Sequence, residues 1–238
     1  MASLLLPVIY LAFISLGLPD SLLGSAWPSM YTELGASLSW AGIVSMIISA
    51  GTIVSSLASE RLNRRLGTGG VTALSVLLTA AALLGFSLSG SFWQLCLWAV
   101  PYGLGAGSVD AALNNYVALH YESRHMSWLH CMWGVGASAG PVIMGWALAG
   151  GSWQSGYRII SVLQFALTAV LLFSLRLWKR PEAAAIDGAA PTHHSIPELL
   201  RRPGVPQVLI CFWCYCALEA TAGMWAASYC TLVRGIDA

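Results

Sequence analysis

The sequence predicts an all-α integral membrane protein: a six-helix transmembrane bundle over residues 1–178, a cytoplasmic linker over 179–204, and the first helix of an incomplete second bundle over 205–238. Three observations carry this. Hydrophobic residues make up 57% of the chain and charged ones 9%, with eleven Trp and a mean hydropathy of +0.71, too little polar surface to cover a soluble globule. Apolar windows of about twenty residues, the length that crosses about 30 Å of hydrocarbon as a helix, can be placed seven times. One long polar stretch, marked by Pro181, Pro191, Pro197, Pro203 and Pro206, separates the sixth window from the seventh.

The first window, roughly 4–27, could pass for a signal peptide, with an apolar core and the small residues Gly24, Ser25 and Ala26. It lacks a positive start and Asp20 interrupts it, so it reads as a retained span. Pro19 removes a backbone donor just before Asp20, and Gly17 and Gly24 loosen the helix on either side. A breakable helix with an acid at the break suits a moving, substrate-facing element; a kink that merely packs is the plainer reading.

The remaining windows run roughly 38–58, 71–89, 92–118, 127–149, 158–178 and 205–233, with connections as short as Ser89-Gly90-Ser91. Such tight turns imply antiparallel neighbours. Within the linker, the stretch from Ser195 to Pro203 is expected to form a short surface helix. His193 and His194 could bind a metal but read more simply as solvated loop.

Basic residues favour cytoplasmic loops. Arg61, Arg64, Arg65, Arg124, Arg176, Lys179, Arg180, Arg201 and Arg202 fall on one side, nine of the eleven Lys and Arg, leaving Arg158 and Arg234 on the other. The N-terminus is therefore expected in the cytoplasm, in the plasma membrane. A net charge of +1 without a basic tract gives no reason to expect nucleic acid.

Three carboxylates lie inside spans, Asp20, Asp110 and Glu219, with His130 the other ionisable group at depth. A charge at the bilayer centre costs about 2.5–3.5 kcal/mol even on the lenient scale, so each should face a cavity or a partner. Asp110 and Asn114, four apart, share a helix face, and Asn115 lies beside it. Together they offer a titratable acceptor and amides suited to hydroxyl groups; interhelical hydrogen bonding is the alternative. His130 could relay protons, bind substrate or simply donate to a carbonyl, and Trp133 could stack on an apolar sugar face or serve as one more interfacial Trp. Gly103 and Gly107 form a face of small residues suited to close helix packing.

The six Cys all fall in apolar runs and read as small packing residues; Cys211, Cys214 and Cys216 have no second ligand pair. No metal or cofactor is expected. Motifs for a membrane-embedded enzyme, such as HExxH or GxSxG, do not occur, so the chain is not read as an enzyme.

A shift of 199 residues superposes Pro7 on Pro206, Phe13 on Phe212, Asp20 on Glu219, Gly24 on Gly223 and Ser29 on Ser228. The acid followed by a glycine four residues later suggests a parallel repeat restarting at the seventh span.

The run from Ser56 to Arg65 resembles the signature of the major facilitator superfamily, Gly-x-x-x-Asp-Arg-x-Gly-Arg-Arg, with Ser56, Glu60, Arg61, Asn63, Arg64 and Arg65 in the matching places. Glu60 keeps the acid's charge, and Asn63 would tolerate the left-handed turn that Gly would take. The resemblance implies a loop whose basic residues cap helix ends and pair with the acid, and a fold of two six-helix halves of which this chain would hold the first and one helix more, a fragment. Within that superfamily, Gly105 to Tyr116 followed by Gly136 to Pro141 resembles the fucose permease group of proton-coupled sugar symporters. That implies a proton-titrating Asp110 with Asn114, substrate contact from Asp20, and a small-molecule substrate and protons as partners. The stretch from Gly136 to Gly145 also resembles drug/proton antiporters, lacking the Gly pair expected after Pro141, which makes antiport the alternative.

Overall fold

The computed structural model describes residues 2–178 and 196–236, and the described residues are helical throughout apart from turns. Helix α1 (Ala2–Gly17) and helix α2 (Leu22–Glu33) form one membrane path broken in the middle. Across the break the backbone tightens to three-residue turns, with Asp20 N–H donating to Gly17 C=O at 3.2 Å and Leu22 N–H to Pro19 C=O at 3.1 Å. Pro19 cannot donate, which is why the four-residue ladder stops there.

A short 3-10 turn (Leu38–Trp40) leads into α3 (Ala41–Ser87), which combines the second and third windows. Forty-seven residues of unbroken helix would measure about 70 Å, over twice the hydrocarbon thickness. The chain reverses instead at Gly67, whose φ of 71° and ψ of 161° lie where only Gly is at ease. The sequence placed the left-handed position at Asn63; among the described residues no non-Gly residue has positive φ. The run Ser56–Arg65 is correspondingly helical rather than a loop, and the turn comes two residues after Arg65.

Helices α4 (Phe92–His120), α5 (Ser123–Ala149) and α6 (Trp153–Ser174) follow, then a short α7 (Ile196–Leu200) and α8 (Val205–Arg234). The short linker helix thus forms, while His193 and His194 lie outside the described residues. Among the described residues five segments are long and apolar enough to cross a membrane, the α1–α2 path, α3, α5, α6 and α8. Helix α4 is not among them, because Asp110, Asn114, Asn115 and Gln94 dilute its apolar character. It is held by close packing: a methyl group added at Gly103 would meet the Ile48 carbonyl, and one at Gly107 the Thr52 carbonyl. The small-residue face of the sequence is a backbone-to-backbone seam between α4 and α3.

Elsewhere α3 also packs on α6, α1 on α5, α2 on α8, and α5 on α6. Two apolar clusters fill the bundle, one around Trp27, Met30, Phe86 and Tyr157, the other around Ile9, Phe13, Leu113 and Leu171. Between them a buried amide joins three helices. Gln164 accepts from Thr79 Oγ1 at 2.8 Å and donates to the Ser15 carbonyl at 2.8 Å, satisfying both ends of its amide away from water. Trp153, fully buried, donates to Glu33 Oε2 at 2.7 Å and so fastens the end of α2 to the start of α6.

Candidate functional site

A cavity of about 620 Å³ opens between the α1–α2 break and helices α3, α4, α5 and α8. Helical spacing explains its walls. On α4, Tyr102, Ala106 and Asp110 follow one another at four-residue intervals; on α3, Ile48 and Thr52 do the same; on α8, Phe212, Tyr215, Cys216 and Glu219 share a face. Phe13, Leu16 and Asp20 come from the broken path, and His130, Trp133 and Gly134 from α5.

The break itself aims Asp20. Its carboxylate receives two hydrogen bonds on different oxygens, from Trp133 Nε1 to Oδ2 at 2.7 Å and from Tyr102 Oη to Oδ1 at 3.4 Å. One acid thereby ties α5 and α4 to the weakest point of the first membrane path. Asn114 Nδ2 donates to Asp110 Oδ1 at 3.0 Å and to the Asp110 carbonyl at 3.0 Å. On α8, Tyr215 Oη donates to Glu219 Oε1 at 3.1 Å. His130 meets Phe13 edge to face, ring centroids 5.9 Å apart. Neither Lys nor Arg occurs among the described residues that line the cavity.

Of the residues the sequence singled out, Asp20, Asp110, His130, Trp133 and Glu219 share this one cavity, and Asn114 acts on it through Asp110. Asn115 does not. It points into a second cavity of about 550 Å³ between α3 and α4, together with Ser56, Glu60, Asn63, Arg64 and His120. One residue of helix turns a side chain by about 100°, enough to move Asn115 from the first cavity to the second. There Arg64 Nη1 pairs with Glu60 Oε1 at 3.2 Å, one helical turn away; both side chains are exposed. Arg61 and Arg65 are exposed on the same stretch.

Tyr102 and Tyr215 were missed in the sequence. An aromatic residue in an apolar span is commonplace, but each stands at a multiple of four from an acid on its own helix, Tyr102 from Asp110 and Tyr215 from Glu219. That spacing was the available signal. Among the described residues no group of His, Cys, Asp and Glu is arranged to hold a metal ion.

Long apolar helices packed around a cavity at a broken helix are the features of a multi-pass membrane protein. The chain belongs to the Major Facilitator Superfamily, whose family profile matches residues 9–238. It is 22% identical over 241 residues to Bypass of stop codon protein 6 of Saccharomyces cerevisiae, an alignment covering 91% of this chain and 48% of that protein. It is also 26% identical over 166 residues to an uncharacterized MFS-type transporter of Mycobacterium tuberculosis, covering 68% of this chain and 24% of the relative. Among solved structures, a mutant of the peptide transporter POT in complex with sulfate superposes with a TM-score of 0.62 at 17% identity, over 90% of this chain and 45% of that one. At that identity the likeness concerns the fold. The chain spans about half the length of that yeast relative and of that solved chain, and about a quarter of the mycobacterial transporter.

Proposed function

We propose that this chain provides the solute site of a secondary active transporter that moves a small polar solute by alternating access, driven by protons. The observation that carries the reading is the convergence of Asp20, Asp110 and Glu219, from three separate helical paths, on one cavity without a Lys or Arg among its described walls. Unpaired carboxylates at membrane depth are costly when charged, and taking up a proton relieves that cost. Asp110 is the proposed proton-titrating group, with Asn114 orienting it; Asp20, His130 and Trp133 are the proposed solute contacts, and Glu219 is their counterpart on α8. Sugar/proton symport is the form implied by the resemblance to the fucose permease group. Proton antiport is the second reading, favoured because carboxylates that take a proton cannot at that moment hold a positively charged solute. The N-terminus is proposed to face the cytoplasm of a plasma membrane.

Uptake into proteoliposomes tests this. Accumulation of a labelled solute should follow an imposed proton gradient, inward for symport or opposed for antiport, and collapse with a protonophore. Uptake indifferent to both gradient and protonophore overturns proton drive.

A further inference from the structure

Donors and acceptors facing the cavity are unequal. Tyr102 and Trp133 both give their hydrogens to Asp20, Tyr215 gives its hydrogen to Glu219, and Asn114 turns its amide on Asp110. Thr52 donates to the Ile48 carbonyl at 3.0 Å. Every one of these donors is already committed within the wall. Among the described lining residues, the His130 ring and the weakly donating Cys216 thiol are the side-chain donors left over.

Acceptors show the reverse. A carboxylate offers about four lone-pair sites. Asp20 has two filled, and the side-chain oxygens of Asp110 and Glu219 one each, which leaves roughly eight of the twelve open. The three acids bring negative charge with no basic lining residue to offset it. Beside them stand aromatic rings with open faces, Phe212 63% exposed, Tyr215 54% exposed and Trp133 half-buried. Ring faces attract cations, most strongly where water is scarce.

We propose that the solute carries a protonated amine, its N–H groups meeting Asp20, Asp110 and Glu219 and its hydrocarbon flank lying against Trp133, Phe212 and Tyr215. An ammonium is donor-only, the complement of a wall that is nearly acceptor-only. A neutral polyol brings acceptors along with its donors and finds His130 and Cys216 alone to fill them. A carboxylate or phosphate brings acceptors and like charge together. This assignment rests on the reading of the cavity as the solute site of transport, in its proton-antiport form, in which the acids are ionised while they hold the solute.

Calorimetric titration of the purified chain at pH 7 with two matched pairs tests it: phenethylamine against 2-phenylethanol, and glucosamine against glucose. In each pair the amine should bind at least roughly tenfold more tightly, the size of one charge-assisted hydrogen bond. Glu219→Gln keeps an oxygen for Tyr215 and removes the charge; Asp110→Asn does the same for Asn114. At least one of them should weaken the amines about tenfold while leaving the neutral members unchanged, with retention volume and unfolding temperature confirming that each variant is folded. A neutral member that equals or beats its amine in either pair overturns the proposal, as does unchanged amine affinity in both variants. Amine-selective binding without any uptake in proteoliposomes by the transporter whose solute site this chain provides would overturn the transport reading and leave the head-group selection standing.

Discussion

Gly24 and Gly223 lie in backbone contact where α2 crosses α8: a methyl group built on Gly24 would run into the Gly223 carbonyl oxygen. They are 199 residues apart, the same separation as Asp20 from Glu219 and Phe13 from Phe212, and all four of those residues line one cavity. A residue that touches its own repeat counterpart lies at the axis relating the two copies, as in an isologous interface. Pairs at this spacing thus face one another across a single cavity, the arrangement that the parallel repeat expected from the sequence requires.

The crossing is asymmetric in detail, and this gives a stability test. Around a methyl group on Gly223 the nearest atom would be Ser21 Oγ, at 4.0 Å, an ordinary van der Waals contact. Gly24→Ala should therefore destabilise the packing of α8 by about 1–3 kcal/mol, an overpacking penalty. Gly223→Ala should stay within about 0.5 kcal/mol of the parent. Denaturant unfolding of the purified protein, followed by Trp fluorescence, measures both; equal effects would contradict the described crossing.

At Gly67 the chain takes φ 71° and ψ 161°, a region in which a side chain costs about 1–3 kcal/mol. Gly67→Ala should lower stability by that amount although a methyl group there meets no atom within 4 Å. The same unfolding assay reads it out. A neutral result would mean that the reversal between the two halves of α3 sits elsewhere.

Asp110→Asn should abolish accumulation against a gradient while exchange or binding stays measurable, since the amide oxygen still accepts from Asn114 but cannot titrate. Asp20→Asn should weaken solute binding instead. Counterflow and gradient-driven uptake, compared in the same liposomes, separate the two effects. Wild-type accumulation by Asp110→Asn would remove Asp110 as the coupling group.

Trp133→Phe and Tyr102→Phe each remove one donor to Asp20, and their lengths differ, 2.7 Å against 3.4 Å. The shorter bond to a carboxylate is the stronger. Solute affinity should fall by about tenfold in Trp133→Phe, as expected for about 1.5 kcal/mol, and by less in Tyr102→Phe. Titration with any bound solute reads the order, and a larger loss from Tyr102→Phe would reverse the assignment of the principal donor.

The proposed orientation predicts that a Cys at position 65 is shielded from an impermeant maleimide applied outside intact cells, whereas one at position 32 is labelled. Position 32 belongs to the end of the bundle where Glu33 meets Trp153. Labelling of position 65 from outside would invert the topology.

The acids that line the cavity were legible in the sequence because a carboxylate in hydrocarbon is expensive enough to stand out from its neighbours. The seam of Gly103 and Gly107 was legible too, as small residues on one helix face. Tyr102 and Tyr215 were not, since an aromatic ring in a membrane span satisfies the bilayer whether or not its hydroxyl reaches an acid. Asn115, grouped with Asp110 and Asn114, lines the other cavity, because adjacency in sequence is not adjacency around a helix. Asn63 was given the turn that Gly67 makes: the basic run looked like a loop by charge, yet its residues are helix formers and the backbone freedom lies two positions beyond it.

Helix α2 is a beam supported at both ends. Its far end is bolted to α6 through Glu33, Trp153 and the weaker reach of Gln154 Nε2 at 3.4 Å, and its shaft is clamped to α8 at Gly24. The break from Leu18 to Ser21 therefore cannot let α2 swing as a loose flap over the acids. Any tilt at that joint must carry the α5–α6 corner with it, so on the proposed reading a small displacement of Asp20 by a bound solute would be geared to the mouth of the bundle about 20 Å away, the rise of a twelve-residue helix.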